Sequence, residues 1–225
     1  MPRKAAFFDV DGTLTTERVW KGVIDYYAQR KQRRLTYLRF WLYHTPLFFL
    51  YKAKLLSQSN FRRPWAAHLA WFVAGMTPQG AGLVWDWVTE EYLKPFWRQD
   101  ALELIQSHKR SGDLVVLVSA GLTPLQQRIA DKFGADLAVG TDPELRNGRY
   151  SGRISGPVCL DDFKADLTKQ KLAQRGHGID LAASTAYADS ATDADLLEMV
   201  GHPVAFHPDR DLLPIAKARG WQIVE

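Results

Sequence analysis

The run Ala5-Ala6-Phe7-Phe8-Asp9-Val10-Asp11-Gly12-Thr13 sets an apolar, strand-like segment directly before two carboxylates one residue apart, then a glycine. Two like charges at the mouth of a buried strand each raise the cost of ionising the other. A chain tolerates that in a solvated turn, or where a cation sits between the carboxylates. Which of the two applies depends on what the rest of the chain brings to the same place.

From Arg98 onward, helical patterns alternate with short apolar runs. Residues 99–111 read as a helix stopped by Gly112, residues 114–118 as a buried strand, and Thr123-Pro124 as the start of a helix that Gly134 ends. Further strands are predicted at 137–140, 185–188 and 204–206, with helices at 164–174 and 192–200. Strands alternating with helices predict an α/β fold: a three-layer, Rossmann-like core whose mostly parallel sheet is covered on both faces. Ligands of such sheets bind outside the carboxyl ends of the strands.

The segment between the first strand and this region differs in character. Of 27 aromatic residues, 19 lie between Trp20 and Trp97, in a stretch without convincing β-branched runs. Helices are predicted at 19–34, 36–56 (bent at Pro46) and 62–74, with a fourth opened by Thr77-Pro78. The organisation expected is a core of residues 1–15 and 99–225 with an inserted all-helical cap of residues 16–98. A 225-residue chain with 46% hydrophobic and 24% charged residues has ample material for such a core. Its single cysteine, Cys159, excludes an intramolecular disulfide and points to the cytoplasm. The apolar run before Asp9 is too short for a signal-peptide core. Arg39, His44, Pro46, Lys52 and Lys54 interrupt the most apolar window, residues 37–56, so it lacks the roughly 18 to 20 apolar residues of a membrane span.

Three apolar strands end in polar residues: Asp9 and Asp11 after the first, Ser119-Ala120-Gly121 after the second, Asp189 after a third. In a parallel sheet all three converge on one edge. A lone aspartate after a strand is usually a turn or cap residue; three such ends, with Lys164 at a following helix start, make coincidence a poor explanation. Carboxylates from different strands, helped by a backbone carbonyl, suit Mg²⁺. Ser119, the N–H groups of Ala120 and Gly121, and Lys164 offer donors and charge to phosphate oxygens. Together they describe a phosphoryl-transfer site. The glycine falls too early for an EF-hand loop, neither a P-loop nor a dinucleotide fingerprint is present, and scattered histidines argue against zinc.

DVDGT, the strand ending in Ser119, the later lysine and DSATD (residues 189–193), in this order, resemble the haloacid dehalogenase superfamily, and more narrowly its subfamily IB of phosphoserine phosphatase-like enzymes, which carry a helical cap between the first two motifs. The resemblance implies a phosphomonoester hydrolase with Asp9 as nucleophile and Asp11 as general acid and base. It implies Mg²⁺ on the Asp9 carboxylate, the Asp11 carbonyl and Asp189, with Asp193 behind them orienting metal-bound water or Lys164. Ser119 and Lys164 would hold the phosphate, with Gly12 and Thr13 completing the loop. The lysine could instead be Lys169 or Lys171, although Lys164 has the spacing from Cys159 that the subfamily suggests.

The cap should set the substrate, expected to be a small phosphorylated metabolite of the phosphoserine or histidinol-phosphate kind. The family's amine-recognising glutamate has Glu17 one residue early here, and Arg18 in the matching place. A second reading comes from the basic run at 30–34 beside the aromatic-apolar residues that follow, a pattern suited to an anionic membrane surface and a lipid phosphate through residues 30–56, or to a protein partner. Phosphotransfer to an alcohol other than water uses the same motifs and stays open. No nucleic-acid partner is expected, since the basic residues cluster in this one segment without a binding motif.

Overall fold

The computed structural model of the chain describes residues 3–176 and 178–225. Six strands form one parallel sheet: β1 (Ala5–Asp9), β2 (Leu114–Leu122), β3 (Leu137–Thr141), β6 (Thr185–Ala188), β7 (His202–Phe206) and β8 (Gln222–Val224), in spatial order β3-β2-β1-β6-β7-β8. The chain winds outward from β1 through β2 to β3, then restarts beside β1 with β6. The β1/β6 boundary is therefore the switch point at which ligands of open α/β sheets bind.

Alternation along β1 divides the interior in two. Ala6 and Phe8 join one buried cluster, Ala5 and Phe7 another. On the Phe8 face pack α5 (Gln99–Arg110) and α6 (Thr123–Phe133), through residues such as Ile105 and Ile129; on the Phe7 face pack α7 (Asp162–Gln174), α8 (Ala194–Glu198) and α9 (Leu212–Arg219), through Leu172, Leu196 and Leu212. Because both faces are covered, the strands read as continuous apolar runs, and β2 is buried along its first six residues. These are the three layers expected of the sequence.

Between β1 and α5 lies the cap, built from α1 (Val19–Gln29), α2 (Arg34–Lys52), α3 (Gln58–His68), a 3₁₀ turn (Leu69–Val73) and α4 (Pro78–Trp87). Its aromatic residues pack mainly on one another, as with Phe40 edge-on to Trp65 at 5.0 Å between ring centroids. Val23, Phe40, Phe72 and Val84 share one cluster with Phe8, so the cap's interior continues into the core. The two chain crossings into the cap are paired: Thr16 N–H donates to Phe96 O at 2.9 Å, and Arg98 N–H to Leu14 O at 2.9 Å.

Several element boundaries differ from expectation. The second cap helix ends at Lys52, not residue 56, because Lys54 takes a left-handed φ of 59°. It also runs through Pro46, whose missing N–H leaves the carbonyl of Leu42 without its helical partner. The third begins earlier, capped by Ser57, whose hydroxyl accepts from Asn60 N–H at 3.2 Å. The helix expected at 192–200 is a short turn (Ala191–Asp193) followed by α8. A hairpin of β4 (Pro143–Arg146) and β5 (Arg149–Ile154) was not anticipated; its Asn147-Gly148 turn has φ of 50° and 72°, as a tight two-residue connection requires. The hairpin bonds the cap, Gly75 N–H donating to Tyr150 O at 2.7 Å. The closing α9 and β8 were also unanticipated.

His44, fully buried in α2, has its Nε2 3.2 Å from Nδ1 of His68 in α3, and His68 stacks on Trp71. Burial, and then its histidine neighbour, lowers His44 from 6.5 to about 4; burial, and then Arg39, does the same for His68. The unfolded chain therefore takes up these protons first. The stability they allow is complete above about pH 6.5 and is lost as the pH falls towards 4. We expect the thermal midpoint to drop across that window and His68→Gln to make the drop shallower; an identical profile for the variant would contradict this assignment.

Candidate active site

The register of the central strands explains how residues far apart in sequence come together. Asp9 pairs with Val118, so Ser119 follows at the same level on β2; Phe8 pairs with Tyr187, so Asp189 lies just past the end of β6. Asp9, Ser119 and Asp189 are buried at the carboxyl edge. Lys164, near the start of α7, reaches the same point and is 3% exposed, which decides its state: a lysine so placed must be paired. Its Nζ lies 2.5 Å from Asp9 Oδ1 and also bonds Asp193 Oδ1. Lys169 stands exposed, and Lys171 pairs with Asp142 at 3.1 Å, so neither joins the cluster.

Oxygen atoms of Asp9, Asp189 and Asp193 all lie within 4.8 Å of one another. Three buried carboxylates face a single ammonium, and the imbalance is visible in the acidities of Asp189 and Asp193. Burial first, then the Asp9 and Asp193 charges, pushes Asp189 up to about 8. Burial and Asp9 also raise Asp193, although Lys164 opposes the shift. For Lys164, burial works against the charge, but Asp193 and Asp9 outweigh it and hold the ammonium above its usual value. An all-oxygen, over-anionic group of this kind fits a hard divalent cation such as Mg²⁺. The ion would be held by Asp9 and Asp189, with Asp193 at hand.

The loop after β1 is shaped around this cluster. Gly12 has φ of 110°, and a Cβ there would lie 2.0 Å from Asp189 Oδ2. Only glycine fits, on both counts. Thr13 Oγ1 donates to Asp189 Oδ1 at 3.3 Å, and Arg98 Nε anchors the Gly12 carbonyl at 3.1 Å.

Asp11 stands apart from the three clustered carboxylates. Its Oδ1 accepts from Val19 N–H at 2.5 Å, and its backbone carbonyl accepts from the Arg18 guanidinium. Desolvation, reinforced by Asp9, raises its carboxyl to about 6, so it can gain or lose a proton near neutrality. Glu17 is turned away: it pairs with Lys21 at 2.8 Å and accepts from Arg18 N–H at 2.7 Å.

On the β2 side, Ser119 Oγ accepts from Gly121 N–H at 3.1 Å, which fixes the hydroxyl's place, and the Ala120 carbonyl is held by Thr141 Oγ1 at 2.8 Å. Gly121 packs so tightly on buried Gln126 that a Cβ would meet Nε2 at 2.3 Å. The sequence offered no sign of Gln126.

It also offered none of Arg62, Trp20 or Trp65. These three cap residues line the cavity above Asp9, Asp11 and Lys164, and Arg62 Nη1 donates to Thr192 Oγ1 at 3.2 Å. Arg63 beside it pairs with Asp162 at 3.0 Å, so adjacent arginines of α3 bind the cap to the carboxyl edge of the sheet. Two arginines on a helix carry no local signature of such a role.

The charge imbalance has a measurable consequence in the metal-free protein. Asp189→Asn removes one of three mutually repelling buried carboxylates and should raise the thermal midpoint. Lys164→Met leaves the carboxylates uncompensated and should lower stability by about 3 kcal/mol. Opposite signs are expected in thermal unfolding with EDTA present; two destabilising effects would refute the electrostatic picture.

A model of the haloacid dehalogenase-like hydrolase family matches residues 6–198. A phosphoserine phosphatase of Mycobacterium tuberculosis is 33% identical over 225 residues, covering 97% of this chain and 70% of its own. Among solved structures, a Bordetella pertussis protein of unknown function superposes with a TM-score of 0.82 at 28% identity, covering 100% of this chain and 99% of that one. A phosphoserine phosphatase structure shares the fold with a TM-score of 0.62 at 18% identity, covering 100% of this chain and 94% of that one. The chain belongs to the haloacid dehalogenase-like hydrolase family and is a phosphoserine phosphatase-like member of it.

Proposed function

We propose that the protein is a Mg²⁺-dependent phosphomonoesterase that works through a phosphoryl group carried on Asp9, with residues 16–98 capping a core of residues 1–15 and 99–225. The observation that carries this reading is the separation of the two neighbouring carboxylates. Asp9 faces Lys164 and Asp189, while Asp11 is held away from that cluster by Val19 N–H with its acidity shifted towards neutrality. A general acid must hold a proton when the alcohol leaves, and the surroundings of Asp11 favour one there, while Asp9 lies beside the ammonium that would hold the phosphate.

In the first step an Asp9 carboxylate oxygen bonds to phosphorus as the bond to the leaving oxygen breaks, and Asp11 gives its proton to that oxygen, releasing the alcohol. In the second, Asp11 takes a proton from water as the water oxygen attacks phosphorus, which frees inorganic phosphate and restores Asp9. Lys164 and the Ser119 hydroxyl hold the phosphate oxygens, and Asp193 keeps Lys164 aimed at them. Mg²⁺ bound by Asp9 and Asp189, with the Asp11 carbonyl, would neutralise charge so that an anionic carboxylate can approach an anionic phosphate. The name of the Mycobacterium tuberculosis relative supports a phosphate ester as substrate. A cytoplasmic setting is proposed from the single cysteine.

Phosphate release from phenyl phosphate, phosphoserine and histidinol phosphate tests the reading. We expect EDTA to abolish release and Mg²⁺ to restore it. Asp11→Asn should lower turnover by about 10² to 10⁴-fold, and Asp9→Asn should leave none with the fold intact by circular dichroism. Full activity of Asp9→Asn would refute the mechanism. Gly12→Ala should also fail, because its methyl group would overlap Asp189.

A further inference from the structure

Two cavities meet beneath the cap. The smaller, about 140 Å³, lies over Asp9, Asp11, Lys164 and Asp193. The larger, about 570 Å³, extends into the cap between α2 and α3. Trp20, Arg62 and Trp65 line both and so form the wall they share, with the Trp20 and Trp65 rings in edge contact at 4.8 Å between centroids. On the far side of that wall the lining is mainly Trp41, Phe48, Phe49 and Phe61, and among the described residues no carboxylate contributes. A small polar leaving group has no use for such a chamber, whereas burying hydrocarbon there is favourable.

The charges point the same way. An amino alcohol would bring an ammonium needing an anionic partner. Between Asp25 and Asp86 the chain has no Asp or Glu, while it carries nine Lys and Arg. Glu17 is bound to Lys21, and the acids over the smaller cavity are those assigned to the reaction. The site therefore suits an anionic head with an uncharged, apolar body.

The chamber's outer wall faces an unpartnered surface. Leu35 is 85% exposed, Leu42 66% and Phe49 65%, and Leu38 and Leu55 are exposed beside them. Phe48 and Phe49 belong both to the chamber wall and to this exposed face, so the chamber opens onto it. Exposed apolar residues set among basic ones, with no acid in the segment, complement an anionic lipid surface. No helix among the described residues is long and apolar enough to cross a membrane, so the contact would be peripheral.

We infer that the substrates are phosphomonoesters whose alcohol carries a long hydrocarbon chain, taken from an anionic lipid surface on which α2 rests. The phosphate sits over Asp9 and the chain passes Trp20 and Trp65 into the aromatic chamber. The inference rests on the phosphatase reading and adds its substrate class.

The test compares butyl, octyl and dodecyl phosphate below their micellar thresholds, reading both phosphate release and binding by tryptophan fluorescence. From butyl to dodecyl we expect KM and Kd to fall at least about a hundredfold, since each buried methylene contributes about fourfold. Phe48→Ala, at a side chain 41% exposed, and Phe61→Ala should each flatten that gain, with folding checked by circular dichroism. Equal KM for butyl and dodecyl phosphate, both hydrolysed, would overturn the inference and leave the phosphatase reading standing. Chain-dependent binding without release from any ester would do the reverse. For the lipid source, the protein should sediment with phosphatidylglycerol vesicles carrying phosphatidate and hydrolyse that phosphatidate, and Lys31→Glu with Arg34→Glu should release it. No sedimentation, or a stable dimer by light scattering that buries α2, would overturn the surface assignment.

Discussion

Lys164 stands between Asp9 and Asp193 in a pocket that water barely reaches, with Asp189 a few ångströms away. One ammonium cannot balance three carboxylates, and the parallel sheet exists in a form that keeps them together regardless. β1 sits at the centre, β2 and β6 flank it in register, and α7 returns Lys164 to the same edge. The hydrophobic layers on both faces supply the stability that this electrostatic arrangement costs. A divalent cation held there would complete the charge balance, which would tie the energetics of the fold to the chemistry of the site.

The cap follows a different physical logic. Its core is aromatic and continuous with the sheet's Phe8 face, yet its second helix leaves large apolar side chains uncovered. Helix α3 connects the two halves through Arg62 on Thr192 and Arg63 on Asp162. The same helix gives Trp65 and Phe61 to the chamber behind the site. Docking of the cap and the walls of the chamber thus share one element, so changes in α3 should affect both together.

Much of the core could be read from the sequence because its signals are local. Asp9, Asp11, Ser119 and Asp189 follow apolar runs whose length and composition mark them as strands, and parallel strands bring their ends to one edge. Gly12 was legible as a loop glycine, although its proximity to Asp189 emerges only in three dimensions. Asp193 was expected behind the metal ligands, and the fold sets its carboxylate as near as theirs. Arg62, Trp20, Trp65 and Gln126 were not legible, since each acts through a contact between distant elements and looks like an ordinary helix residue in sequence. The hairpin is hard to read from the sequence although Asn147-Gly148 is a strong turn signal, because the flanking strands are short and polar. Pro214 and the brevity of α9 hid the last helix in the same way.

The central claim is that Asp9 carries the phosphoryl group during turnover. Acid quenching during steady-state hydrolysis, followed by borohydride reduction and peptide mass spectrometry, examines it directly. The account predicts reduction to homoserine at Asp9, dependent on substrate and Mg²⁺. Labelling at another residue, or none while phosphate is being released, would contradict it.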